Sequence, residues 1–154
     1  MTLRAVFATM TVALCGAALG AAAPAAADNN RLNESVVADV HNMMMLNGCA
    51  DGYKVEPQVK VDPKLRLAAQ WHADDVLNNR ALDGDIGSNG SSVADRARAA
   101  GYVGDVAETV AINPALAISG VEIMNQWFHR PDYKAVMSSC ANHDIGVWSV
   151  NSPD

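Results

Sequence analysis

Two cysteines set the hardest constraint on this chain. Cys49 and Cys140 stand about 90 residues apart, and a bond between them would pin the end of one early element to a late one. Closing a loop of that length stabilises a fold by roughly 4 to 5 kcal/mol in the chain-entropy model. A third cysteine, Cys15, lies in a stretch that reads as an export leader. Arg4 gives it a positive start, 5–19 is apolar, and Ala25, Ala26 and Ala27 before Asp28 supply the small residues a signal peptidase needs.

The expected division is therefore 1–27 as signal peptide and 28–154 as one domain, long enough to bury a core. A membrane anchor is the competing reading. The run is rich in Ala and Gly and broken by Pro24, a poor span, so no stable anchor is expected after cleavage. Leu14 precedes Cys15 where lipidation would want a small residue. In an oxidising compartment Cys49 and Cys140 should pair, and neither lies in a Cys-x-x-Cys or Cys/His cluster that would make it a metal ligand.

Losing Arg4 takes the formal charge from −6 to −7. An acidic chain without a Lys/Arg cluster has no footprint for nucleic acid, nor for electrostatic binding to anionic lipid.

Helix signals punctuate the remainder. A first helix is expected over 34–47, ended by Gly48, with Val36, Val37, Val40, Met43, Met44 and Leu46 covering most faces. The Met43-Met44-Met45 run admits a haem or copper reading, but adaptable core packing is the commoner use. His41 has no ligand partner at i+3 or i+4. After a connection over 50–61, Asp62-Pro63 is a start signal for a helix reaching about 79. His72 shares its apolar stripe with Leu65, Ala69 and Val76, so it faces inward as a hydrogen-bonded core residue or as a site group. Asp74 and Asp75 read as a solvated face.

The stretch over 83–92 is dense in Gly, Ser, Asn and Asp and must be a surface loop. Ser92 with Asp95 makes a capping box for a short helix from Val93, stopped by Gly101. Glu108 then sits alone in an alternating run over 106–111, either a solvent-facing strand residue or a buried site group. Asn113-Pro114 reads as the start of a last long helix to about 129, halted by Pro131. One further turn is expected over 133–137, and a strand over 145–150.

These residues together resemble the CAP superfamily, the secreted domain of cysteine-rich secretory proteins, venom antigens and pathogenesis-related proteins, in its actinobacterial form. The matches are Ala68 with His72-Ala73-x-Asp75, Gly90-Ser91-Ser92-x-x-Asp95-Arg96 leading to Gly101-Tyr102, Ala107-Glu108-Thr109-Val110-Ala111, Trp127 and Ile145-Gly146-Val147. The resemblance implies an α+β fold, a three-layer α-β-α sandwich around a small antiparallel sheet. It implies a ligand cavity at Asp85, Glu108, Tyr133 and His72. Family members commonly continue into one more strand, so 145–150 is expected as an open edge, inviting a homodimer or marking a domain short of its last strand.

This chain departs from the family at the cavity histidines. Asp85 stands where one histidine is usual; Arg130 and Tyr133 stand where a second would fall. Zinc favours N and S ligands, and Asp85, Glu108 and Tyr133 offer only oxygen, so neither metal nor cofactor is expected. Asp85 and Glu108 are expected instead to share a proton or to face Arg96 or Tyr133, with one carboxyl pKa raised. The function that follows is a secreted, non-catalytic binding protein at the cell envelope or outside the cell, its partner a small apolar ligand such as a lipid or sterol, or a protein. A hydrolase using Glu108 and Asp85 as an acid/base pair is the alternative, without an activated nucleophile in the sequence. A purely structural or antigenic surface component is the third reading.

Overall fold

A computed structural model describes residues 5–11, 24–49, 59–113 and 119–152. The elements run β1 (Ala5–Thr11), α1 (Pro24–Leu46), β2 (Lys60–Val61), α2 (Pro63–Asn78), α3 (Val93–Ala99), β3 (Thr109–Asn113), α4 (Gly120–Phe128), α5 (Pro131–Met137) and β4 (Asp144–Ser152). Helix and strand are mixed in one α+β arrangement.

The sheet order is β2-β4-β1-β3. Where the resemblance implied antiparallel pairing, all three described ladders are parallel. The reason is β1, which runs between β3 and β4 and parallel to both, so that those two strands never pair with each other. With Ala5–Thr11 in place the expected open edge at 145–150 is covered, because β4 has β2 on one side and β1 on the other.

Alternation along the strands sorts side chains to two faces. Ile145 and Val147 of β4 and Ala111 of β3 join the larger core with α1, α4 and α5, through Val36, Val40, Met44, Ile123, Trp127 and Met137. Val110, Trp148 and Val150 meet Ala69 and Ala73 of α2 on the opposite face. Leu65, Ala97 and Tyr102 close a smaller cluster between α2 and α3. Helices thus cover both faces of the sheet. Cys49, just past the αL turn at Gly48, is bonded to Cys140, tying the end of α1 to the segment between α5 and β4.

The start signals act as read at two helices. Asp62 caps α2 by accepting from the backbone N–H groups of Lys64 and Leu65, and Ser92 and Asp95 form a reciprocal box on α3. Gly101 stops that helix at φ +87. Two boundaries differ from expectation. Helix α1 begins at Pro24, ten residues before position 34. Asn113 closes β3 instead of opening a helix, 114–118 lie outside the described residues, and α4 starts at Gly120 behind a second capping box, Ser119 with Glu122. Of the expected connection over 50–61, residues 50–58 also lie outside them, and Lys60–Val61 form β2. Among the described residues no helix is long and apolar enough to cross a membrane.

Candidate functional site

Three elements converge on Glu108. It immediately precedes β3, and its side chain is 1% exposed. The buried stripe of α2 carries His72 to one of its carboxyl oxygens, with Nε2 3.4 Å from Oε1. On the other side Arg96, buried with Ala97 on α3, donates from Nη2 to Oε2 at 2.6 Å.

Arg96 does more than pair with the carboxyl group. Its Nη1 donates to the Ser91 carbonyl at 2.9 Å, and Nη2 also donates to the Asp85 carbonyl at 2.7 Å. A planar, always charged guanidinium can serve several acceptors at once, and here it fastens both ends of the glycine-rich loop to the start of β3. The loop is braced elsewhere too. Ser88 donates to the Asp75 carboxylate from its backbone N–H at 2.7 Å and from its hydroxyl at 2.6 Å. The loop also closes on itself through Gly87 N–H to the Ser91 carbonyl and Gly90 N–H to the Gly87 carbonyl, with Gly90 at φ +80.

His72 bonds to the same loop. Its Nε2 is 2.8 Å from the Gly84 carbonyl, an acceptor only, which fixes the proton on that nitrogen. Burial lowers its pKa below 6.5, with the Gly84 bond pulling the other way and the Arg96 charge adding to the fall. Burial likewise pushes Glu108 up to about 8, against the pull of Arg96 and with help from Asp85. The cluster therefore sets burial, which favours the neutral forms of His72 and Glu108, against a permanent guanidinium charge, which favours the carboxylate.

The expected cavity set divides. His72 and Glu108 come together, and Arg96 faces the carboxyl group. Asp85 contributes its backbone carbonyl, while its side chain stays exposed. Tyr133 joins the larger core on the α1 side, its ring covered by the Arg130 guanidinium at 3.7 Å. Sequence reasoning did not foresee that Arg96 spans the loop. The available signal was its position four residues after the Ser92 cap, next to Ala97 on the only face of a seven-residue helix able to turn inward.

The arrangement is poorly suited to a metal cation, since the guanidinium already occupies the carboxyl group. Among the described residues no three His, Cys, Asp or Glu side chains converge. Two surface depressions are relevant. One of about 390 Å³ runs outside the cluster, past Trp71, Asp75, Ser88, Ser91 and Arg96. An apolar groove of about 300 Å³ lies between α1 and α4, lined by Met43, Leu46, Val121, Met124 and Phe128 and edged by Asp39, Asn42 and Asn125. No known family model, curated protein or solved structure matches this chain.

Proposed function

We propose that this chain is an exported, non-catalytic binding protein of the CAP type, and that it holds a small apolar ligand in the groove between α1 and α4. The observation that carries the reading is the groove itself. Leu46, Val121 and Phe128 are 89%, 71% and 49% exposed around a shallow apolar depression. Exposed apolar surface with a polar rim marks an interaction site, and methionines such as Met43 and Met124 adapt to ligands of differing shape. Helices on both faces of a sheet, and the order of the CAP-like motifs along the chain, support the family reading.

The Glu108 cluster supports a structural role beside it. A carboxyl group 1% exposed, with an arginine on one oxygen and a histidine near the other, has no open face for a substrate. The hydrolase alternative needs Asp85 and Glu108 to flank one bond, and they present one exposed and one enclosed carboxyl group.

The test is titration of the exported protein with a fluorescent long-chain fatty acid, and extraction of cholesterol from phosphatidylcholine vesicles. Binding of either probe, abolished by the double substitution Val121→Asp and Phe128→Asp at unchanged melting temperature, is the expected result. Binding of neither removes the apolar-ligand reading. Binding that survives the double substitution moves the site away from this groove.

A further inference from the structure

The strand at the centre of the sheet is the segment that reads as removable. Ala5–Thr11 pairs with β4 from Ala5↔Gly146 to Thr11↔Ser152, and with β3 from Val6↔Thr109 to Met10↔Asn113. Both neighbours run parallel to it, and neither pairs with the other. Take β1 away and two facing ladders are left one strand's width apart, each with a row of unbonded N–H and C=O groups. Buried backbone groups without partners are costly, and open ladders recruit whatever extended chain is at hand.

We propose that the space between β3 and β4 is a strand-acceptor site. In the full chain Ala5–Thr11 fills it, and after the leader is removed an extended, uncharged segment of another polypeptide takes its place. This rests on the export reading given above. The chemistry of the occupant follows from the register. Seven residues without a charge fit the space, and the third of them, Phe7, stands opposite Val110 on one side and Trp148 on the other. Those two side chains pack with Ala69 and Ala73 of α2, so an aromatic or branched residue at that position extends an existing apolar row. Main-chain bonds to two strands at once supply affinity, and that row supplies selectivity, the division of labour found wherever peptides join sheets.

The experiment uses the full chain with a protease site placed within 13–23, cut after folding, and a labelled peptide spanning residues 4–12. Expected is saturable binding after cleavage and none before it. A peptide with Ala8→Pro, which lacks one ladder N–H, should bind at least about tenfold more weakly. Amides over 109–113 and 144–152 should lose protection from hydrogen exchange when the native strand is washed out and regain it with the peptide. Equal binding of the two peptides, or binding without recovery of protection, overturns the proposal. If the cut protein unfolds, refolding on addition of the peptide supports the site and failure to refold overturns it. Mass spectrometry of the exported product separates the two readings. A product that retains residues 5–11 overturns cleavage of the leader and exchange with another chain together, whereas a product beginning at Asp28 that ignores the peptide overturns the acceptor site alone.

Discussion

Replacing Glu108 with glutamine separates two opposite accounts of the buried cluster. If burial governs, the folded protein holds a proton on Glu108 up to about pH 8, against 4.5 for an ordinary carboxyl group. The folded state then binds more protons than the unfolded one across that window, and stability falls as pH rises through it, by on the order of 5 kcal/mol in total. Glutamine matches the protonated carboxyl group in shape and has no proton to lose, so its variant lacks this slope. His72 acts in the opposite direction below 6.5, where burial makes stability rise with pH, but it does so in both proteins and cancels from the difference. Urea unfolding of both proteins in half-unit steps from about pH 5 to about pH 9 measures that difference directly. Near pH 5 the two should be alike, and the glutamine variant should gain steadily on the wild type above it. The reasoning is refuted if the difference is flat. It is refuted more sharply if the variant is the less stable by a constant amount throughout, since an ionised Glu108 held by Arg96 would exchange its proton only below about pH 4.5, outside this range.

Three other changes probe the frame that holds the cluster. Reduction of the Cys49–Cys140 bond, or Cys49→Ser, should lower the unfolding free energy by roughly 4 to 5 kcal/mol, read as a shift in urea midpoint. Gly146→Ala should cost about 3 kcal/mol or more, because the added methyl would overlap the backbone of Leu65 and Arg66 where α2 backs onto β4; a melting temperature within a few degrees of wild type would contradict that packing. Trp127→Phe removes the indole N–H that donates to the Val110 carbonyl at 3.1 Å and leaves a buried acceptor unmet. A loss of about 2 to 3 kcal/mol is expected by chemical denaturation.

Much of the frame was legible because local chemistry decided it. Asp62 before Pro63 and Ser92 before Asp95 satisfy orphan N–H groups whatever the tertiary fold, so their helices start where the sequence puts them. His72 was placed inward by periodicity alone. The Ser119 and Glu122 box was equally readable, but Asn113-Pro114 offered a rival signal six residues earlier, and strand pairing with β1 claimed Asn113. Pairing partners are chosen across the whole chain, so nothing near 5–11 announced a central strand: an apolar run reads alike as a leader and as a buried strand. Arg96 stayed half-hidden for a related reason. Its value lies in carbonyl groups at Asp85 and Ser91, and backbone acceptors leave no mark in a side-chain pattern.

The bracing of the glycine-rich loop by Arg96 and Asp75 carries a consequence for recognition. A segment so full of Gly, Ser and Asn would ordinarily sample many shapes and resist binding until one was selected. Clamped at both ends and stitched in the middle, it offers any visitor a single fixed relief, and that visitor need spend no ordering entropy on it. An antibody raised against this face should therefore engage the folded protein far better than the same ten residues as a free peptide.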